Sequence, residues 1–176
     1  KQFSTSTHLG VGDDCAVLMA NDEEYLLVSK ELLLEGIHFD LTYVPLSHLG
    51  FKAVSASVSD IYAMNGKPTQ VLVGLGVSSR FTLEAVDSLY EGIHRAAAMY
   101  GVDLVGGDTT SSVNGLTLSV TVLGSVAKGK ITYRKGASVN DILMVSGDLG
   151  RAYLGLQVLE REKAVFMANP TIQPEL

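Results

Sequence analysis

Two segments in which apolar residues occupy every second position constrain the fold of this 176-residue chain most strongly. In residues 69–77, apart from Leu72, and again in residues 116–122, valine or leucine alternates with small or polar side chains. This period of two predicts β-strands that each place one face against a hydrophobic core. Thr82 and Gly101 bracket a helical repeat of apolar residues, so a helix lies between the two strands along the chain.

The same kinds of pattern predict the rest of the fold. The other predicted elements are strands at 15–19, 25–29, 37–39, 102–105 and 142–145, and helices at 45–65 and 152–162. Their order predicts an α+β domain, in which both of the first helices cover one face of a single mixed β-sheet. The other face carries small and polar residues, among them Gly74 and Ser119, and we expect it to pack against the same face of a second subunit.

Composition limits the classes of function. Apolar residues make up 47% of the chain and the mean hydropathy is +0.26, yet no run approaches the roughly 18 apolar residues of a membrane span. We therefore expect a buried subunit interface and no membrane partner. The net charge of −6 without a lysine or arginine cluster argues against a nucleic-acid partner. A single cysteine excludes an internal disulfide and favours a cytoplasmic location.

A change in composition near residues 134–137 predicts a domain boundary. Residues 1–137 would form the N-terminal domain, and residues 138–176 would be the beginning of a truncated C-terminal α+β domain. The second segment has only about 40 residues, which is near the lower limit for independent folding.

Acidic residues lie where strands, helices or glycine turns end. They are Asp13 and Asp14 after Gly12, Glu31 and Glu35, Asp60, and Asp108 after Gly107. Adjacent carboxylates repel one another, and an aspartate late in a helix opposes the helix dipole. Taken singly, Asp14 and Asp108 are explained about as well by capping of a turn. Taken together, the carboxylates predict Mg²⁺ with a phosphorylated ligand, because Mg²⁺ takes oxygen ligands and bridges phosphates.

Other chemical signatures are weak. Residues 124–130 mimic a phosphate-binding loop, but Ile131 stands where a metal-binding Ser or Thr belongs and no helix follows. The four histidines lack zinc spacing. Cys15 lies in an apolar strand, which predicts core packing rather than nucleophilic chemistry.

Six segments in order resemble the thiamine-monophosphate kinase family, within the superfamily that includes aminoimidazole-ribonucleotide synthetase. They are Gly10–Val17, Leu34–Phe39, Gly50–Ala53, Val58–Met64, Val105–Thr110 and Tyr133–Ala137. The segment Glu35-Gly36-Ile37-His38-Phe39 resembles the kinase more than its sister enzymes.

The resemblance implies a function in thiamine biosynthesis. It implies a transferase that phosphorylates thiamine monophosphate with ATP, giving thiamine diphosphate. It also implies a homodimer whose N-terminal sheets close into a barrel, with ATP and several Mg²⁺ ions in a groove near the interface. The acceptor phosphate has a second pKa of roughly 6, so it is largely ionised at neutral pH and no catalytic general base is expected.

The resemblance also implies residue roles by position. The metal-binding positions are Asp14, Ser29, Lys30, Glu31, Asp60 and Asp108. The ATP-binding positions are Tyr100, Gly107, Asp108 and Arg134, and the substrate-binding position is His38.

Two departures from the family pattern affect the expected activity. The family usually has Thr-Asp where this chain has Lys30-Glu31, which brings a cation and a longer carboxylate to a metal-binding segment. The family's further metal and substrate contacts lie beyond Leu176, so we expect this chain alone to be inactive. Two alternatives remain open: another ATP-dependent synthetase of the superfamily, and a degenerate relative that binds nucleotide or metal without transfer.

Overall fold

The computed structural model of the protein describes residues 3–169. The chain divides into two compact units, Lys1–Gly136 and Ala137–Leu176. The division falls next to the boundary that composition predicts, but the assignment of the second unit to a truncated domain stays a prediction and lies partly outside the described residues.

The first unit is a six-stranded mixed sheet with two helices. Its elements are β1 (Thr7–Leu9), β2 (Ala16–Met19), β3 (Glu24–Leu34), α1 (Leu46–Ala63), β4 (Lys67–Val77), α2 (Leu83–Tyr100), β5 (Asp103–Ser111) and β6 (Thr117–Ala127). The strand order across the sheet is β1-β2-β3-β6-β4-β5, and every neighbouring pair is antiparallel except β4 and β5. The predicted α+β class with a mixed sheet is confirmed.

The hydrophobic core lies between the sheet and α1. Alternate residues of the three central strands are buried, such as Leu27 in β3, Val73 in β4 and Val120 in β6. Helix α1 packs on these strands, while α2 packs on α1 and on β5. The side chain of Thr82 accepts a hydrogen bond from the backbone of Ala85 at the start of α2, as its predicted capping role requires.

The two helices approach each other at backbone distance. A Cβ added at Gly92 of α2 would lie 1.8 Å from the carbonyl oxygen of Ser47 in α1. A Cβ added at Gly50 of α1 would lie 2.1 Å from the carbonyl oxygen of Leu89 in α2. Only glycine fits either position, so this contact fixes the separation between α1 and α2.

The opposite side of the sheet, which we call the open face, is formed by the other set of alternate residues on β3, β6 and β4. The small residues predicted for it, Gly74, Gly76, Thr117, Ser119 and Thr121, are all only partly buried. Two leucines of β3 also lie on this face: Leu32 is 49% exposed and Leu34 is 37% exposed. The face is therefore more apolar than the sequence pattern suggested.

The predicted strands 37–39 and 142–145 are wrong, and β3 and β5 are longer than predicted. Residues 37–39 form a turn closed by a bridge between Glu35 and Phe39, not a strand. Strand β5 does not end at residue 105 but continues to Ser111, because Gly107 lets it pair closely with β4: a Cβ there would lie 1.8 Å from the carbonyl oxygen of Val73. Residues 142–145 form no strand, since no described segment of the second unit supplies a partner strand.

The second unit contains one described helix, α3 (Arg151–Ala168), which is longer than the predicted 152–162. None of its residues is buried within the unit. Among the described residues, no helix combines the length and the apolar character that a bilayer crossing requires.

Candidate metal and nucleotide site

An arginine connects the acidic turn before β2 with the end of the first unit. Arg134 donates from Nη2 to Oδ1 of Asp14 at 2.6 Å, and its backbone N–H donates to Oδ2 of Asp13 at 3.1 Å. Oδ1 of Asp13 accepts the backbone N–H of Asp14 at 2.9 Å. The two adjacent carboxylates thus have different roles: Asp13 organises the backbone, while Asp14 presents its charge to a cation.

A second carboxylate approaches from helix α1. The hydroxyl of Ser29 in β3 donates to Oδ2 of Asp60 at 2.5 Å. Ser29 is buried, so the carboxylate of Asp60 lies at the helix-covered face of the sheet. Because side chains alternate along a strand, Glu31 shares that face with Ser29.

Lys30 faces the other way. Its Nζ donates to Oγ of Ser119 at 2.6 Å, on the open face. Consecutive residues 29, 30 and 31 therefore do not form one ligand group, because the strand sends the middle side chain to the opposite side of the sheet. The ammonium group of Lys30 does not lie among the carboxylates around Asp60.

The electrostatic environment of Cys15 shows that the carboxylates share one region. Burial of the thiol, followed in decreasing order by the nearby charges of Asp60, Asp14 and Asp13, raises the pKa of Cys15 to about 12. The hydrogen bond that Arg134 donates to Asp14 raises the pKa of Arg134, and the charges of Asp14, Asp13 and Asp60 add to that increase. The fold thus brings Asp14 and Asp60 together around a buried, protonated thiol.

Asp108 lies elsewhere. In the strand register, Asp108 of β5 is opposite Gly74 of β4, and Gly74 is opposite Ser119 of β6. Asp108, Gly74 and Ser119 also line a shallow cleft of about 360 Å³. Residues in register share a face, so Asp108 belongs to the open face with Lys30. Within one chain, the sheet lies between Asp108 and the carboxylate of Asp60.

The donors suit Mg²⁺ in kind. Asp14, Asp60, Ser29 and Glu31 offer carboxylate and hydroxyl oxygens, which Mg²⁺ prefers. Across residues 3–169, no three His, Cys, Asp or Glu side chains are close enough together to hold a metal ion. The guanidinium of Arg134 occupies the position beside Asp14 that a cation would take. The donor atoms fit the ion in kind, and these side chains would have to move closer together to bind it.

The predicted nucleotide contacts lie on different elements. Tyr100 is the last residue of α2. The centroid of its ring lies 6.3 Å from that of Phe51 and 6.4 Å from that of Tyr62. Its hydroxyl donates a hydrogen bond to Oγ of Ser55 at 3.1 Å. Gly107 lies in β5 beside Asp108. No described contact joins Tyr100 or Gly107 to Arg134.

His38 lies in the turn that follows β3. Its Nδ1 accepts the backbone N–H of Leu34 at 3.0 Å, and its carbonyl accepts Nζ of Lys52 at 2.7 Å. Sequence reasoning missed an ion pair beside this turn, between Glu35 and Arg80. Its partners come from separate elements, and nothing local in the sequence signals that they meet.

Comparison with known proteins identifies the family. Residues 12–126 match the profile described as "AIR synthase related protein, N-terminal domain". The chain belongs to this family. It is 38% identical over 158 residues to thiamine-monophosphate kinase of Bacillus subtilis (strain 168), covering 90% of this chain and 49% of the relative. It is 36% identical over 145 residues to the enzyme of the same name from Synechococcus elongatus, covering 82% and 44%.

Solved structures give the same result for the fold. AaThiL complexed with AMPPCP and TMP matches with a TM-score of 0.77 and 34% identity, covering 90% of this chain and 49% of that one. The thiamine-monophosphate kinase of Stenotrophomonas maltophilia K279a matches with a TM-score of 0.73 and 30% identity, covering 89% and 48%. The resemblance that the motifs indicated is confirmed, and the chain spans about half the length of the relatives it matches.

Proposed function

We propose that this chain is the nucleotide- and metal-binding half of a thiamine-monophosphate kinase, which transfers the γ-phosphoryl group of ATP to thiamine monophosphate. The observation that carries the proposal is the meeting of Asp14, Asp60 and Arg134 around Cys15, in a chain whose relatives bear that name. We expect the enzyme to act in the cytoplasm.

The residues of this site would meet the main difficulty of the reaction, which is repulsion between two anions. Asp14, Asp60, Ser29 and Glu31 would hold Mg²⁺, which when bound neutralises charge on the phosphoryl groups. Arg134 adds a permanent positive charge, and its guanidinium would exchange Asp14 for a phosphate oxygen of ATP. No side chain needs to remove a proton, because the acceptor phosphate is already largely ionised.

The open face supports a homodimer as part of the proposal. It combines small residues with exposed leucines, which suits packing against a second copy and closure of a barrel. Asp108 lies on that face, whereas Asp60 lies on the other. We propose that Asp108 and Gly107 contribute to the nucleotide site where two subunits meet, so that a complete site needs both copies.

The decisive experiment is an assay of the full-length natural protein with ATP, Mg²⁺ and thiamine monophosphate. We expect thiamine diphosphate and ADP in equal amounts. Asp60→Asn should reduce kcat by at least about a hundredfold, because removing one charge-stabilising group from such a site costs roughly that much. Asp87→Asn, at an exposed position on α2, serves as the matched control and should leave kcat unchanged.

Absence of thiamine diphosphate would refute the proposed reaction. Binding of Mg-ATP without any turnover would instead identify the degenerate relative. Turnover with a different acceptor from a panel of small phosphorylated and non-phosphorylated substrates would identify another synthetase of the superfamily.

A further inference from the structure

The turn that carries His38 is fixed by its own hydrogen bonds. The backbone N–H of Gly36 donates to the carbonyl of Phe39 at 2.8 Å, and the backbone N–H of His38 donates to the carbonyl of Leu34 at 2.9 Å. Gly36 has a φ of 79°, which a residue with a side chain adopts only under strain. The turn is therefore short and closed, and His38 has little freedom along the backbone.

The hydrogen bond to the imidazole fixes its tautomer. Because Nδ1 of His38 accepts the backbone N–H of Leu34, the neutral ring carries its proton on Nε2. His38 is exposed, so this N–H is available to donate to an anionic ligand. The direction of the Nε2–H bond therefore depends on the position of the turn relative to the end of β3.

Glu35 joins this turn to the residue before β6 and to the loop between β4 and α2. Its backbone N–H donates to the carbonyl of Leu116 at 3.1 Å, and its Oε2 accepts the backbone N–H of Leu116 at 2.8 Å. Its Oε1 pairs with Nη2 of Arg80, from the loop between β4 and α2. Arg80 in turn lies over the ring of Phe81, with Cζ 4.9 Å from the centroid. Both oxygens of the carboxylate are thus used.

The space around this carboxylate is small. A Cβ added at Gly115 would lie 2.7 Å from Oε2 of Glu35, and Gly115 has a φ of 75°. The backbone before β6 therefore closes directly over the Glu35 side chain. Such a close fit is expected where a side chain has to hold its neighbours in one arrangement.

We infer that Glu35 and Arg80 are positioning residues, which together hold the His38 turn so that Nε2–H points at the phosphate of the acceptor substrate. This inference rests on the proposed function, since it takes His38 to contact thiamine monophosphate. The two residues act through the turn and not on the substrate itself.

The test uses the full-length protein with Arg80→Gln, Arg80→Lys and Glu35→Gln. We expect Arg80→Gln and Glu35→Gln to raise KM for thiamine monophosphate by about tenfold with KM for ATP unchanged, because a displacement of about 1 Å can cost up to ~100-fold. Arg80→Lys keeps the cation beside Oε1 and should recover most of the loss. Arg95→Gln, at an exposed arginine of α2, is the control and should change neither constant.

Glu35→Gln distinguishes positioning from direct substrate binding by Arg80. If Arg80 bound the substrate, freeing it from Glu35 would leave KM for thiamine monophosphate unchanged or lower it, and that result would overturn the inference. An equal rise in KM for ATP in either variant would also overturn it.

Amide hydrogen exchange gives a readout that needs no activity. Arg80→Gln should speed exchange at Leu34 and His38, whereas Arg80→Lys and Arg95→Gln should not. If the wild-type protein forms no thiamine diphosphate, the proposed function fails, and exchange alone decides whether the pair holds the turn. In that case, exchange rates in Arg80→Gln that equal those of the wild type would show that Glu35 and Arg80 do not hold the turn.

Discussion

Replacing Gly92 with alanine tests the contact that sets the spacing of α1 and α2. The new Cβ would lie 1.8 Å from the carbonyl oxygen of Ser47, whereas an ordinary carbon–oxygen contact is about 3.3 Å or longer. The oxygen belongs to helix backbone, so relief requires the helices to separate by about 1.5 Å. Overpacking of this kind costs about 1–3 kcal/mol, and we expect the upper end because no flexible side chain can yield.

Alanine also favours the helical state over glycine by about 1 kcal/mol. The net loss in free energy of unfolding is therefore about 2 kcal/mol. For a chain of this size, that corresponds to a fall in Tm of about 4–8 °C. Thermal unfolding followed by circular dichroism, with urea unfolding at 25 °C as a second measurement, gives both quantities.

Glu91→Ala is the matched control, since it changes the adjacent, exposed position of the same helix. It should alter stability by no more than about 0.5 kcal/mol. A Gly92→Ala protein that is as stable as the wild type, or more stable, would show that the helices do not meet through backbone and would refute the reasoning.

Two further predictions concern the site and the open face. Arg134→Gln removes the cation beside Asp14 but keeps the backbone hydrogen bond to Asp13. Calorimetry should therefore show that the nucleotide-free variant binds Mg²⁺ several-fold more tightly than the wild type. Arg134→Lys keeps the positive charge and should bind Mg²⁺ with the wild-type affinity. Weaker binding in Arg134→Gln would mean that the arginine does not compete with the ion. Leu32→Lys places a charge on the open face, so the full-length variant should sediment as a monomer where the wild type sediments as a dimer. Leu83→Lys, at an exposed position on α2, is the control and should remain a dimer. A wild-type protein that is monomeric at all concentrations would contradict the proposed interface.

The sequence predicts the elements with strong periodicity and clear ends. Alternation identifies β4 and β6, and Thr82 and Gly101 bound α2 to within a residue. β1 is missed because three residues, Thr7–Leu9, are too short to show a period. β5 is cut short because consecutive glycines usually end a strand, whereas here they permit close pairing with β4.

Motifs nominate the residues of the candidate site, but they do not show which of those residues lie together. Alternation alone separates Lys30 from Ser29 and Glu31 once β3 is known to run without a bulge through this segment. Asp108 is different, because its face depends on the irregularity in the β4–β5 register at Val71 and Leu72, which no local pattern reveals. Ion pairs between residues far apart in the chain, such as Glu35 and Arg80, likewise cannot be predicted until the strand order is known.

The strand order has a consequence for synthesis of the protein. The sheet runs β1-β2-β3-β6-β4-β5, so the strand that joins its two halves is the last of its six strands to be synthesised. Until residue 127 has left the ribosome, β3 and β4 each present an unpaired edge, the kind of edge that recruits other chains. We therefore expect the nascent chain to need protection through most of this unit, and the sheet to form in a single late step when β6 inserts.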